Sequence, residues 1–350
     1  MAGPIKARTR RIAVAGAGLV GRKHADMAAG EGVLHAIIDP VAGARELAER
    51  HGCLWYPAVE DYLASHRPDG MIIATPNQLH VEHGLACVSH GVPALIEKPI
   101  ADIPEAAARL VREAGRFGVP ILVGHHRRHN PIVKAAKTAI ESGALGRIVS
   151  VHAQFWLYKP DDYFEPAWRR AKGAGPVFIN LIHDIDLLRH FCGEIVSVQA
   201  VESNLTRGHE VEDSAAMLLT FENGALGTVS VSDTIPAPWS WELTAAENPA
   251  YPETKAACYT IGGQTGSLSI PDLRLWSYPG KPGWWEPIDS RTLPVEPADP
   301  LLRQFRHFLD VIDGSAQPLV NGEEGLRTLA VIDAIKEAAL MGTAQQVTLR

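Results

Sequence analysis

The chain has 350 residues, of which 46% are hydrophobic and 21% charged, the balance of an ordinary globular protein long enough for two domains. A formal net charge of -7 excludes a general affinity for nucleic acid or an anionic membrane, so any positive site must be local. The four cysteines (Cys53, Cys87, Cys192, Cys258) are far apart and form no Cys-x-x-Cys pair, which argues against a disulfide framework and a zinc site and fits a reducing cytoplasm.

Lys6, Arg8, Arg10 and Arg11 precede an apolar run, 12–20, and superficially imitate a signal peptide. Glycines interrupt that run and Arg22-Lys23 follow it, so no export signal is expected, and no apolar segment is long enough to span a membrane. Residues 11–15 read instead as a buried strand. Gly16-Ala17-Gly18-Leu19-Val20-Gly21 follows, and then a helix over 22–29. In this strand–turn–helix context Gly-x-Gly-x-x-Gly is a dinucleotide fingerprint. Gly16 permits the tight turn, Gly18 lets backbone approach a pyrophosphate, and Gly21 lets helix pack on strand. Free amides near Leu19 and Val20 then face the anion. A second strand, 33–38, ends in Asp39 about twenty residues beyond the glycines, where a carboxylate accepts hydrogen bonds from the adenosine ribose. It also repels a 2'-phosphate, so NAD is expected over NADP.

A helix is predicted over 42–51, a strand over 69–74 and a helix over 81–90. The third strand ends in Thr75-Pro76-Asn77, polar loop chemistry suited to a ribose or amide contact, with simple turn formation as the alternative. Gly91-Val92-Pro93 introduces a short buried strand, 94–96, which runs directly into Glu97-Lys98-Pro99. Pro99 keeps Lys98 out of helical geometry, at the carboxyl end of a parallel strand where ligands bind. An amine held there, partly desolvated, is a candidate proton carrier. A helix over 103–117 and a strand over 120–123 follow. The strand ends in Gly124-His125-His126-Arg127-Arg128-His129-Asn130-Pro131, a local positive patch expected to meet an anionic group, with a solvated basic loop as the alternative. The alternation predicts a doubly wound parallel sheet.

From residue 131 the pattern changes. A helix is expected over 131–142, then strand-like runs at 147–157, 195–205, 214–221, 225–232, 239–245, 256–261, 267–270 and 273–278, with Glu222-Asn223-Gly224 as a hairpin turn. These imply an α+β domain with a large, mainly antiparallel open sheet. Pro236, Pro238, Pro249 and Pro252 punctuate an excursion, 234–255, that suits a lid or an oligomer contact. Helices over 301–312 and 323–340 close the chain. A helix from Val177 onward is too apolar for a surface position, and it carries Asn180, His183 and Asp184 at i, i+3 and i+4. On a buried face each of these needs partners. The predicted division is 1–126 for nucleotide binding and 127–350 for substrate binding and oligomerisation, with the last helix packing back on the first domain.

Gly16-x-Gly18-x-x-Gly21, Thr75-Pro76-Asn77-x-x-His80, Glu97-Lys98-Pro99 and Gly124-x-x-Arg127-Arg128-x-Asn130-Pro131 occur in order, with Gln304-Phe305-Arg306-His307-Phe308 and Gly322-Glu323-Glu324-Gly325-Leu326-Arg327 further on. The set resembles the Gfo/Idh/MocA oxidoreductase family along the whole chain. The resemblance implies an NAD-dependent dehydrogenase in which His183 joins Lys98 as a catalytic residue. Thr75, Asn77, His80, Glu97 and Lys98 then lie on the cofactor side, with Glu97 either touching the nicotinamide ribose or holding its turn. It also exposes a departure: relatives such as inositol dehydrogenase carry an aspartate four residues before the histidine, and here that position is Ile179. Asn180 can hydrogen-bond substrate but cannot take a proton.

The expected reaction is hydride transfer between a secondary alcohol of a small polyhydroxylated substrate and nicotinamide, with Lys98 and His183 meeting at that alcohol as the candidate bases. His126, Arg127, Arg128 and Arg169 point to an anionic substrate, such as a sugar acid or hydroxy acid; a carboxylated cyclic diol is an alternative. A non-catalytic NAD-binding sensor and an NAD-retaining glycosidase remain open on fold grounds. A homodimer or homotetramer is expected, and no metal-ligand spacing is present.

Overall fold

The computed structural model describes residues 10–349; Lys6 and Arg8 lie outside the described residues. The chain forms two compact units. One takes the described residues through His125 together with Leu301–Leu329, and the other takes His126–Pro300 and the remaining described residues from Ala330.

The first unit is built on six parallel strands: β1 (Ile12–Ala15), β2 (Leu34–Ile38), β3 (Leu54–Tyr56), β4 (Gly70–Ile73), β5 (Ala94–Ile96) and β6 (Ile121–Val123). They are ordered β3-β2-β1-β4-β5-β6, the doubly wound sheet that the alternation of apolar runs and helices predicts. Because crossover helices cover both faces, strand residues are apolar throughout rather than alternating; β1, β4, β5 and β6 are buried at every position. The order reverses between β1 and β4, both hydrogen-bonded in register, and their carboxyl ends form the switch point where ligands bind in such sheets. The helix Pro300–Ile312 belongs to this unit, sending Phe305 and Phe308 into its core. Gly70 admits Phe308, whose ring would lie 2.8 Å from a Cβ at that position.

The second unit holds a nine-stranded sheet. Its strands are β7 (Ile148–Trp156), β8 (Ile195–Ser203), β9 (Ser214–Phe221), β10 (Leu226–Ser232), β11 (Tyr259–Gly263), β12 (Gly266–Ile270), β13 (Arg274–Ser277), β14 (Asp289–Thr292) and β15 (Gln345–Gln346). The order is β14-β13-β12-β11-β7-β10-β9-β8-β15, and β7 with β10 is its parallel pair. Burial alternates along β9, as period-two patterning requires, and Gly224 takes a left-handed φ of 84° in the β9–β10 turn. Helices Pro131–Glu141 and Leu181–Cys192 and the later turns of Gly322–Met341 pack on one face through Val133, Leu181, Ile185, Leu188, Ile332 and Ile335. The opposite face exposes Val149, Val201, Leu218 and Leu226.

Two local expectations are corrected. Residues 239–245 are not a strand: Trp241–Thr244 forms one helical turn capped by Ser240, whose hydroxyl accepts from Leu243 N. The helix expected to run on from Val177 breaks at Asn180 (φ -106°, ψ -56°) into Pro176–Ile179 and Leu181–Cys192. An asparagine side chain with a partner outside the helix favours such a break.

Candidate active site

In the first unit the chain leaves β1 into Gly16, whose φ of 98° only glycine adopts easily, and whose missing Cβ makes room for the Ala74 carbonyl beyond β4. At Gly21 a Cβ would strike the Gly16 carbonyl oxygen. At Gly18 a Cβ would meet nothing within 4 Å, so the middle of the turn opens outward while its two ends are closed. The helix Leu19–Gly30 begins there with no side-chain cap, leaving its first amides, at Leu19 and Val20 among others, for an anion. Asp39, at the end of β2, accepts from Ala17 N at 2.7 Å and from Val41 N at 2.9 Å. Its half-exposed carboxylate therefore fixes the glycine turn and keeps lone pairs for a diol. The cradle fits a dinucleotide.

Thr75 and Asn77 are half-buried beyond β4, with Thr75 Oγ1 3.2 Å from His83 Nδ1. His80, expected on the cofactor, is 2% exposed. Its Nδ1 lies 2.8 Å from the Pro99 carbonyl and its Nε2 2.8 Å from that of Thr75, so both ring nitrogens face protein backbone. Burial pulls its pKa below the ordinary imidazole value, against the two carbonyls and the charges of Glu97 and Asp102. At the end of β5, His24 Nε2 donates to Glu97 Oε1 at 2.7 Å, and the His24 side chain is fully buried. Lys98 follows. From residue 94 to 101 every residue is buried except this lysine, which is half-buried.

In the second unit, the expected positive patch is corrected. Arg127 and Arg128 are buried and internally neutralised, because a guanidinium removed from water requires counter-charge. Arg127 donates to Glu242 at 2.7 Å and to Asp184 at 3.3 Å, and lies over the Trp241 ring at 5.4 Å. Burial lowers its pKa, but these carboxylates win and raise it. Arg128 grips Asp186 with Nε and Nη2 at 2.7 and 3.0 Å. Arg127, expected at the substrate, is thus paired with Glu242 and Asp184 in this structure.

His126 donates to Glu247 at 2.7 Å, and its ring meets that of His183 edge-on, centroids 5.1 Å apart. Glu247 also accepts from Asn130 at 2.8 Å and Trp241 at 3.0 Å. Burial alone would raise the Glu247 pKa, yet the hydrogen bond and charge of His126, with Arg127 and Asn130, pull it down to about 2. Asp184, beside His183, is pushed up to about 6 by burial, with Arg127 opposing and Glu242 reinforcing; the Tyr259 hydroxyl donates to it. Among the expected substrate contacts, Asn180 Oδ1 accepts from Lys159 at 2.8 Å, and Arg169 stacks over Tyr163 at 4.1 Å while donating to its carbonyl.

Lys159, Glu242 and Glu247 were not among the residues expected from sequence. Lys159 is 6% exposed, its pKa lowered by burial with Asp233 opposing. Lys159-Pro160 after β7 repeats the strand–Lys–Pro pattern of Lys98-Pro99, a signal that was there to be read. The two glutamates sit in the proline-rich excursion and reveal themselves only through their partners.

The fold and the glycine cradle define a dinucleotide-binding protein, and comparison with known proteins places it among oxidoreductases. Residues 10–125 match the oxidoreductase family with NAD-binding Rossmann fold (GFO_IDH_MocA), and residues 133–269 match the GFO/IDH/MocA C-terminal domain. The chain belongs to the Gfo/Idh/MocA family. The rhizopine catabolism protein MocA of Rhizobium meliloti is 29% identical over 65% of this chain and 72% of its own length. The 1,5-anhydro-D-fructose reductase of Ensifer adhaerens is 26% identical over 83% of each. Among solved structures, the WlbA dehydrogenase of Bordetella pertussis, in complex with NADH and UDP-GlcNAcA, has a TM-score of 0.78 and 24% identity, covering 98% of this chain and all of that one. No helix of the described residues is long and apolar enough to cross a membrane.

The Glu247 pKa implies an acid-dependent contribution to stability. A carboxylate depressed from its ordinary 4.5 to about 2 stabilises the folded state fully above 4.5 and loses that contribution as pH falls toward 2. Replacing Glu247 by Gln is expected to cost up to about 3 kcal/mol at neutral pH, a gap that narrows below pH 4.5 in urea unfolding. A pH-independent gap would show that the charge is not its source.

Proposed function

We propose that the protein transfers hydride between a secondary alcohol of a small polyhydroxylated substrate and NAD. The observation that carries this reading is Lys98: the one partly accessible side chain in an otherwise buried strand-and-turn, at the carboxyl end of the strand next to the switch point. NAD, when bound, supplies the hydride acceptor at nicotinamide C4. The chain's part is to hold it and to manage the proton. Gly16, Gly18 and Gly21 with the amides of Leu19 and Val20 bind the pyrophosphate, Asp39 the adenosine ribose, and Thr75 and Asn77 the nicotinamide half. Because the Asp39 carboxylate repels a 2'-phosphate, NAD is preferred to NADP.

As the alcohol carbon loses hydride, its hydroxyl loses a proton to a neutral nitrogen base; in reduction both return. Lys98 and His183 are the two candidate bases. His126 and Asn180 orient the substrate. With Arg127 held by Asp184 and Glu242, an acidic group on the substrate falls to Arg169, whose guanidinium lies over the Tyr163 ring. A sugar acid or hydroxy acid suits it better than a neutral polyol. Four free thiols suit a reducing cytoplasm. Copies of the chain pair as a homodimer or homotetramer through the outward face of the nine-stranded sheet, where Val149, Val201, Leu218 and Leu226 are exposed.

Lys98→Ala and His183→Ala should each lower kcat by roughly 100-fold or more while NAD affinity, read by calorimetry, is retained; near-normal turnover in Lys98→Ala would remove that residue from the chemistry. A panel of hydroxy acids, sugar acids and matching neutral polyols, run with NAD and NADP and followed by absorbance of the reduced nicotinamide, should show the acids and NAD favoured. Absence of net reduced cofactor across the panel would point to a sensor or an NAD-retaining glycosidase instead. Light scattering should report an oligomer that Leu218→Glu dissociates, and a monomeric parent would refute the sheet-face contact.

A further inference from the structure

We propose that His24 and His80 are positioning residues that brace Lys98 from its two sides, a role that rests on the reading of Lys98 as a proton-handling group. Neither histidine can touch substrate or cofactor, since their exposures are 0% and 2%. Each instead holds the residue flanking the lysine. On the amino-terminal side is Glu97, whose carboxylate receives the His24 Nε2 proton at 2.7 Å. His24 stands on the buried face of the helix that starts at the glycine turn, with Gly21, Ala25 and Ala28. Behind the carboxylate, the backbone at Gly124 comes so close that a Cβ there would lie 2.8 Å from the Glu97 carboxyl carbon. Glu97 is thus fixed between the helix that begins the nucleotide cradle and the end of β6.

On the other side is Pro99, whose carbonyl faces His80 Nδ1 at 2.8 Å, while Nε2 of the same ring faces the Thr75 carbonyl at 2.8 Å. The ring bridges the turns that follow β4 and β5. A neutral imidazole has one N–H and can donate to only one of these carbonyls; it is the tautomer protonated at Nδ1 that holds Pro99. Lysine is a long side chain with large rotamer freedom, and a displacement of about 1 Å at a reacting group costs on the order of 100-fold in rate. Fixing the backbone on both sides of Lys98 limits where its amine can reach. It also ties that reach to the helix whose first turn receives the pyrophosphate.

Side-chain length gives the test. Gln places its amide nitrogen near the position of a histidine Nε2, and Asn near that of Nδ1. His24→Gln keeps the bond to Glu97 and His24→Asn loses it; His80→Asn keeps the bond to Pro99 and His80→Gln loses it. The expected result is that His24→Asn and His80→Gln lower kcat by about 10-fold or more, with KM and NAD affinity within about threefold, while His24→Gln and His80→Asn stay near the parent. Lys98 reactivity toward an amine-acylating reagent, mapped by mass spectrometry, should change in the same two variants while the exposed Lys134 and Lys172 do not. This readout needs no substrate, so it separates failure of the brace from failure of the proposed reaction. Equal behaviour within each Asn/Gln pair, or an unchanged Lys98 acylation rate in His24→Asn and His80→Gln, would overturn the proposal. If His24→Asn does not fold, the His80 pair and its acylation rates decide the matter alone.

Discussion

A charge taken out of water needs a partner, and the candidate residues of both units are arranged around that need. Glu97 is buried against His24, Glu247 against His126, Arg128 against Asp186, and Arg127 between Asp184 and Glu242. Losing one member of such a pair strands the other in a low-dielectric setting, so each pair defines its geometry more sharply than an apolar contact could. The reactive candidates, Lys98 and His183, are each next in sequence to one of these buried acids, Glu97 and Asp184. Position is set by the neighbours that cannot move.

The same requirement explains how two Asp and Glu residues in one unit acquire opposite character. Glu247 collects donors from His126, Asn130 and Trp241, and stays ionised far below its ordinary range. Asp184, more deeply buried and close to the charge of Glu242, is lifted to about 6 despite Arg127. An acid near neutrality beside His183 and an acid fixed as an anion beside His126 are distinct electrostatic settings produced within a few residues.

Much of the fold was legible in the sequence because its signals are local. The apolar runs of β1, β4 and β5, the glycine spacing and the alternation of β9 each lie within a few residues, and Ala94–Ile96 was located to the residue. Leu54–Tyr56 escaped because it is an edge strand with no fully buried residue, unlike the buried run Ala94–Ile96, and Gln345–Gln346 because two polar residues carry no apolar signal. Trp241–Thr244 looked like a strand from its aromatic and apolar content, whereas a serine cap decided otherwise. The glycine cradle and the Lys98 turn could be named in advance because sequence neighbours build them. Glu242 and Glu247, which answer Arg127 and His126, could not, since they lie more than a hundred residues further along the chain. His24 was readable in principle: it occupies an inward position of an amphipathic helix, where a polar residue must have a reason to be.

The excursion between residues 234 and 255 was open to reading as a lid. It carries Glu242 and Glu247, which complete the ion pairs of the segment beginning at His126. Exchanging it alone for a loop that lacks these acids, as one would when recruiting a new specificity, would leave Arg127 with Asp184 alone and His126 without its carboxylate partner. The loop and the 126–130 segment interlock through these contacts, and a chimaera must cross over outside both.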